Sequence, residues 1–247
     1  MKKRRLFSLF LSFALLLPLF SLTSADAYED FTLDAKAGLL IEADTGEILY
    51  EKNAHQENFP ASLTKVMVAL LVFEAIDEGK IALTDSVTAT ESAFEGLSSD
   101  GSTANIVPGE TMTVEQLLNC MLIVSANEAC NILGETLYGS VDAFVARMNE
   151  RAAELGCEHT HFANATGLHN SQHYTTAWDL YLITREALKH DKFMEICNSK
   201  SYTVPATNMT DKPRELHSTN FLISNWRARG YVYRDAQGIK TGSTPEA

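Results

Sequence analysis

Pro60-Ala61-Ser62-Leu63-Thr64-Lys65 runs without a break into Val66-Met67-Val68-Ala69-Leu70-Leu71-Val72-Phe73. The apolar residues of this stretch go nearly all round a helical wheel, the pattern of a helix buried inside a core rather than laid on a surface. The spacing predicts a helix from Ser62 to about Ile76, stopped at Asp77-Glu78-Gly79, where glycine suits the left-handed position after a helix end. Positions i and i+3 share a helix face, so the Ser62 hydroxyl and the Lys65 amine meet in one pocket. An amine beside a hydroxyl is a way of activating serine without histidine. Ser-x-x-Lys also occurs in ordinary capped helices that carry a surface lysine, so its weight depends on what the rest of the chain supplies.

On the N-terminal side, Ala37–Ala43 and Glu47–Glu51 flank Asp44-Thr45-Gly46 and read as a β-hairpin. On the C-terminal side, Ile81 to Thr113 turns polar and small and reads as a satellite lobe, with β-like pieces at Ser86–Thr88 and Thr103–Val107 and a turn at Pro108-Gly109. Thr113 with Gln116 forms a capping-box pattern before an apolar helix to Val124. Ser125-Ala126-Asn127 separates it from a helix over about Glu128–Leu137, and a third helix is expected over about Val141–Leu155. Thr160 to Thr175 has no period and is rich in Asn, His, Gly and Ser, a long loop of the kind that often carries function. Helices from Thr176 to about Lys189 and from Lys192 to Asn198 follow. Ser201–Val204 is strand-like, Asn208–Asn225 a polar crossing, and Tyr231–Tyr233 with Gly238–Gly242 reads as a last strand. Strands, then helices, then strands is the order of an α/β (α+β) fold in which early and late strands pair in one antiparallel sheet packed by helices.

Met1-Lys2-Lys3-Arg4-Arg5, an apolar run to about Leu22 and Ala25-Asp26-Ala27 have the n-region, h-region and A-x-A site of a secretory signal peptide over residues 1–27, which leaves a domain of residues 28–247. The net charge is −12, and loss of the basic leader makes the remainder more acidic still. An acidic chain with no basic stripe is not built to bind nucleic acid, whose phosphates need a cationic surface. The cysteines, Cys120, Cys130, Cys157 and Cys197, show no C-x-x-C spacing and sit among apolar neighbours. They read as buried small hydrophobes, although export permits disulfides.

Three short motifs now stand in order: Ser62-Leu63-Thr64-Lys65, Ser125-Ala126-Asn127 and Lys240-Thr241-Gly242. The ordered set is the signature of class A β-lactamases and penicillin-binding proteins, with alanine at the middle of the second motif. Pro108-Gly109-Glu110 through Leu118, Asn164-Ala165-Thr166-Gly167-Leu168 and His173-Tyr174-Thr175-Thr176-Ala177 narrow the likeness. From about Phe31 to Ala247 the chain resembles the low-molecular-mass penicillin-binding proteins, the serine D-alanyl-D-alanine carboxypeptidases.

That resemblance implies a β-lactamase/transpeptidase-like fold, a mainly helical subdomain beside a five-stranded antiparallel sheet flanked by helices. It implies a nucleophile at Ser62, a base at Lys65 and a proton relay through Ser125 bridging Lys65 and Lys240. Asn127 would hold the substrate amide and orient Lys65, and Lys240 and Thr241 would meet the substrate carboxylate. Gly242 would let the strand edge approach the substrate, and the backbone N–H groups of Ser62 and Ser243 would receive the oxyanion. Burial, the helix dipole and the charge of Lys240 would lower the Lys65 pKa. Asn164, Gly167 and Thr175 are expected to shape the loop. The implied partner is a peptidoglycan stem peptide ending in D-Ala-D-Ala, with β-lactams as covalent inhibitors, no cofactor and an extracytoplasmic location. The family's later strands, and in many members a C-terminal membrane anchor, have no counterpart in this sequence, which reads as C-terminally incomplete.

Two other readings compete. A domain that senses β-lactams or binds the cell wall would acylate with little turnover, and no glutamate stands where a β-lactamase would need its deacylating base. His159, His161, His169 and His173 offer zinc-like spacing, yet no H-E-x-x-H pattern completes a zinc peptidase, so no metal is expected.

Overall fold

After Pro60 the chain makes a 3₁₀ turn, Ala61–Thr64, that passes directly into helix α1, Lys65–Asp77. The computed structural model describes residues 32–247. The chain divides into a unit ending at Ala35 and a second unit, Lys36–Ala247, which holds all the helices and strands among the described residues. The leader expected over residues 1–27 lies outside the described residues.

Helix α1 buries every residue from Lys65 to Phe73. Each large aliphatic or aromatic side chain so buried contributes about 1.5–3 kcal/mol, which makes this helix the spine of the unit. The expected helix start at Ser62 is corrected to Lys65: Leu63 N donates to Pro60 O, a three-residue closure. In such a turn, residues i and i+3 eclipse one another, so Ser62 and Lys65 remain on one side.

The other elements pack around this spine. Strands β1 (Gly38–Ile41) and β2 (Ile48–Lys52) form the antiparallel hairpin, with an irregularity between Leu40 and Ile41. Strands β3 (Ser86–Thr88) and β4 (Thr111–Thr113) close the satellite lobe. Helices α2 (Val114–Ile123), α3 (Asn127–Tyr138) and α4 (Val141–Glu154) follow, α2 starting on a full capping box between Thr113 and Gln116. Helices α5 (Ala177–Ala187) and α6 (Asp191–Cys197) lead to strands β5 (Ser201–Val204) and β6 (Arg214–His217), paired antiparallel. Helix α5 packs along α1, and α2, α3 and α4 also reach it.

The strand expectations need correction. Early and late strands do not join: the described residues hold three separate two-stranded sheets. Thr103–Val107 forms no strand because its backbone donors go elsewhere. Ala104 N donates to Glu128 Oε1, and Val107 N to Glu110 Oε2. Residues 231–233 and 238–242 are likewise not strands. Tyr233 N donates to Leu222 O, and Gly238 N to Asn198 Oδ1. Strand β6 lies inside the stretch expected to be a polar crossing. All four cysteines are buried free thiols.

Candidate active site

The start of α1 brings Lys65 into the interior, where it is fully buried. Its Nζ lies 3.1 Å from Ser62 Oγ, 2.8 Å from Asn127 Oδ1 and 2.6 Å from Thr166 O. Two of these three partners are carbonyl oxygens and can only accept. A neutral amine has two N–H groups and one lone pair, so when the carbonyls take both N–H groups the lone pair is left for the Ser62 hydroxyl. Burial pushes the lysine pKa down, and the nearby Cys130 and Glu128 oppose that shift. The position thus favours the uncharged amine that a base requires.

Ser125-Ala126-Asn127 fills the corner between α2 and α3. Asn127 N donates to Ser102 O, and Glu128 Oε1 accepts from Thr103 Oγ1 and Ala104 N, so the loop before α2 is tied to the start of α3. Ser125 is held at φ +67°. It is 4% exposed, and its Oγ is the buried side-chain polar atom without a hydrogen-bond partner among the described residues. The expected bridge from Ser125 to Lys65 and Lys240 is therefore not formed in this structure. A buried hydroxyl with no partner costs free energy, and a site that must receive a substrate group is a physical reason to retain one.

Lys240-Thr241-Gly242 runs beside the Ala61–Thr64 turn. Gly242 sits so close that a Cβ would lie 2.9 Å from Pro60 O and 3.2 Å from Leu63 Cγ. Lys240 Nζ donates to Thr241 O, and Thr241 Oγ1 shares a 2.7 Å hydrogen bond with Thr219 Oγ1. Ser243 is exposed. Burial, together with the charge of Lys65, lowers the Lys240 pKa to about 7. The expected lowering of the Lys65 pKa by Lys240 is not found: at Lys65 the cause is burial, and the charge effect acts on Lys240 instead.

The loop expected at Thr160–Thr175 supplies what residue types did not reveal. Asn164 Oδ1 accepts from Thr166 N and Gly167 N, which turns the Thr166 carbonyl toward Lys65. Gly167, at φ +84°, lies against the Ala61–Thr64 turn, where a Cβ would stand 1.8 Å from Ala61 O. Thr175 pairs through its backbone with Asn58, just ahead of Pro60. His173 is buried against Thr64. The other three histidines of the zinc reading go elsewhere. His159 lies beside Glu57, His161 on the Gln172 carbonyl, and His169 edge-on to Phe59. Among the described residues no three His, Cys, Asp or Glu side chains gather to hold a metal.

Comparison with known proteins bears on this arrangement. The family model described as D-alanyl-D-alanine carboxypeptidase matches residues 23–247. D-alanyl-D-alanine carboxypeptidase DacF of Bacillus subtilis is 40% identical over 214 residues, covering 87% of this chain and 52% of the relative. The D-alanyl-D-alanine carboxypeptidase of Streptomyces sp. strain K15 is 31% identical over 236 residues, covering 91% of this chain and 77% of that one. The crystal structure of the Streptomyces K15 DD-transpeptidase superposes with a TM-score of 0.78 at 31% identity, over 89% of this chain and 84% of that one. The chain spans about half the length of several of the curated relatives it matches. With a transpeptidase-like fold and Ser62, Lys65, Ser125 and Asn127 standing where α1, α2 and α3 converge, this chain belongs to the D-alanyl-D-alanine carboxypeptidase family of serine peptidases.

Proposed function

We propose that this chain carries the acyl-transfer centre of a serine D-Ala-D-Ala carboxypeptidase, which removes the terminal D-alanine from peptidoglycan stem peptides. The observation that carries the reading is the buried Lys65 amine, with two carbonyl acceptors and the Ser62 hydroxyl around it. Ser62 Oγ attacks the carbonyl of the penultimate D-alanine while its proton passes to the Lys65 lone pair. The backbone N–H groups of Ser62 and Ser243 receive the oxyanion. As the C–N bond breaks, the proton reaches the departing amine through Ser125, whose hydroxyl is free to turn toward it. Water then hydrolyses the ester and regenerates the serine. Asn127 orients Lys65 and the substrate amide, Lys240 and Thr241 meet the substrate carboxylate, and Gly242 leaves room for its backbone.

β-Lactams, which present a strained amide to the same serine, act on this reading as covalent inhibitors. Residues 1–27 direct export, so the work is extracytoplasmic, at the cell wall or the outer face of the membrane. No helix among the described residues is long and apolar enough to cross a membrane. The test is intact-mass spectrometry with benzylpenicillin on the full-length protein and on its Ser62→Ala variant, with release of D-alanine from a D-Ala-D-Ala peptide measured alongside. The wild type should gain one penicilloyl adduct and release D-alanine, and the variant should do neither. An adduct on Ser62→Ala would remove Ser62 from its role.

A further inference from the structure

His173 lies outside the three motifs, yet it is 2% exposed and hydrogen-bonded to Thr64, which stands between Ser62 and Lys65 in the chain. Ala163 N donates to His173 Nδ1 at 3.1 Å. A backbone N–H cannot accept, so Nδ1 carries the lone pair and the proton of the neutral ring is on Nε2. That Nε2–H faces Thr64 Oγ1 at 2.7 Å, and the Thr64 hydroxyl donates onward to Ala61 O at 2.8 Å. Donors and acceptors therefore run in one direction, from the loop through the ring and the hydroxyl to one carbonyl.

That carbonyl belongs to the Ala61–Ser62 peptide, whose other polar group is the Ser62 N–H. The peptide unit is planar, so holding the C=O direction also fixes the N–H direction. Ala61 stands at φ +48°, a conformation that costs a residue with a Cβ about 1–3 kcal/mol and persists only when its surroundings hold it. Those surroundings are the Thr64 hydroxyl and Gly167, packed against the same carbonyl.

We propose that His173 is a positioning residue of the acylation centre: through the Thr64 hydroxyl it holds the Ala61 carbonyl and so aims the Ser62 N–H at the developing oxyanion. The inference rests on the acyl-transfer role of Ser62. The ring has to stay neutral, since a proton on Nδ1 would face the Ala163 N–H. Burial, with His161 and Lys65 nearby, lowers the His173 pKa to about 4, which keeps it neutral at ordinary pH.

The experiment measures acylation of the full chain by a fluorescent penicillin in stopped flow, separating the dissociation constant of the precovalent complex from the first-order acylation constant. Four variants are compared: His173→Leu, His173→Gln, which places an amide N–H near the Nε2 position, Thr64→Val and Thr64→Ser. We expect His173→Leu and Thr64→Val to lose about 10- to 100-fold in the first-order constant, with the precovalent constant unchanged. His173→Gln and Thr64→Ser should stay within about threefold of wild type, the scale of a retained hydrogen bond. The double variant His173→Leu with Thr64→Val should be no worse than the poorer single one, because both cut the same chain. Should His173→Leu fail to fold, near-isosteric Thr64→Val carries the test. Acylation within threefold of wild type in Thr64→Val, or a His173→Gln as slow as His173→Leu, would overturn the proposal. A wild type that forms no adduct would instead overturn the role of Ser62 beneath it.

Discussion

The Thr166 carbonyl oxygen lies 2.6 Å from the amine of Lys65, a residue 101 positions earlier in the chain. The amine is thus gripped by a backbone group that no substitution at position 166 can remove directly. With Asn127 on its other side, the amine has one direction left, toward Ser62.

Removing the amine should therefore abolish acylation without removing the pocket. In Lys65→Met, the first-order acylation constant should fall by about 10²–10⁴-fold, the usual contribution of a general base. The wild-type constant should rise with pH as Lys65 loses its proton, and that rise should be missing from the variant. A Lys65→Met protein that acylates at the wild-type rate would remove Lys65 as base.

Ser125 combines a left-handed backbone with an unpartnered hydroxyl, two costs in the folded state. Ser125→Gly relieves both, so stability should rise by about 1 kcal/mol, a gain of roughly 2–4 °C in Tm for a chain of this size. D-alanine release should fall steeply in the same variant. Thermal melts and turnover assays, made in parallel, check for opposite signs.

Gly167→Ala and Gly230→Ala make a matched pair. Both glycines have positive φ, +84° and +89°, but a Cβ at 167 meets Ala61 O at 1.8 Å while one at 230 meets nothing within 4 Å. Gly230→Ala should cost about 1–2 kcal/mol. Gly167→Ala must displace the Ala61–Thr64 turn, and it should cost well above that and lose penicillin labelling. Equal denaturation midpoints for the two variants would contradict the packing of Gly167 on the turn.

The pH dependence of stability follows from Lys65, Lys240 and the thiols, and Lys65, whose pKa burial also lowers, acts in the same direction as Lys240. Lys240 titrates at about 7 in the folded chain against 10.5 when unfolded, so between these values the unfolded state binds more protons and stability rises with pH. Burial raises Cys120, Cys157 and Cys197 to about 12 and Cys130 to about 11, from 9.0. Above pH 9, unfolded thiols ionise and folded ones do not, so there the thiols bring stability down. Urea midpoints should rise from pH 7 to about 9 and then level or fall. The rise should shrink in Lys240→Met.

Much of this architecture was legible because its signals are local. The capping box at Thr113 and Gln116, the apolar run from Val66 to Phe73 and the left-handed glycine after α1 each act within a turn or two of themselves. What misled were segments whose partners lie far along the chain. Thr103–Val107 has strand-like composition, but the Glu128 carboxylate takes the amides of Ala104 and Ile106. Strand β6 was hidden because Arg214 and Glu215 look like loop residues, and only the structure shows Arg214 paired with the buried Glu110. The motif residues of the site could be named through the family resemblance rather than from residue types alone. Thr166 could not, since it works through its backbone. His173 was legible as part of the His173–Ala177 stretch and as one of four histidines with zinc-like spacing, but its partner, Thr64, is 109 residues away.

The docking of the 160–175 loop onto the Pro60 turn has a consequence for how the site comes into being. Its closing contacts, Thr166 to Lys65 and His173 to Thr64, join parts of the chain more than a hundred residues apart. Contacts of such sequence separation form late, because their loop-closure entropy is repaid only once the intervening helices have packed. During refolding, far-UV helicity should return before the capacity to bind penicillin covalently. On the proposed reading, Ser62 acylates only in the finished fold, and a penicillin adduct would certify that the chain has completed folding.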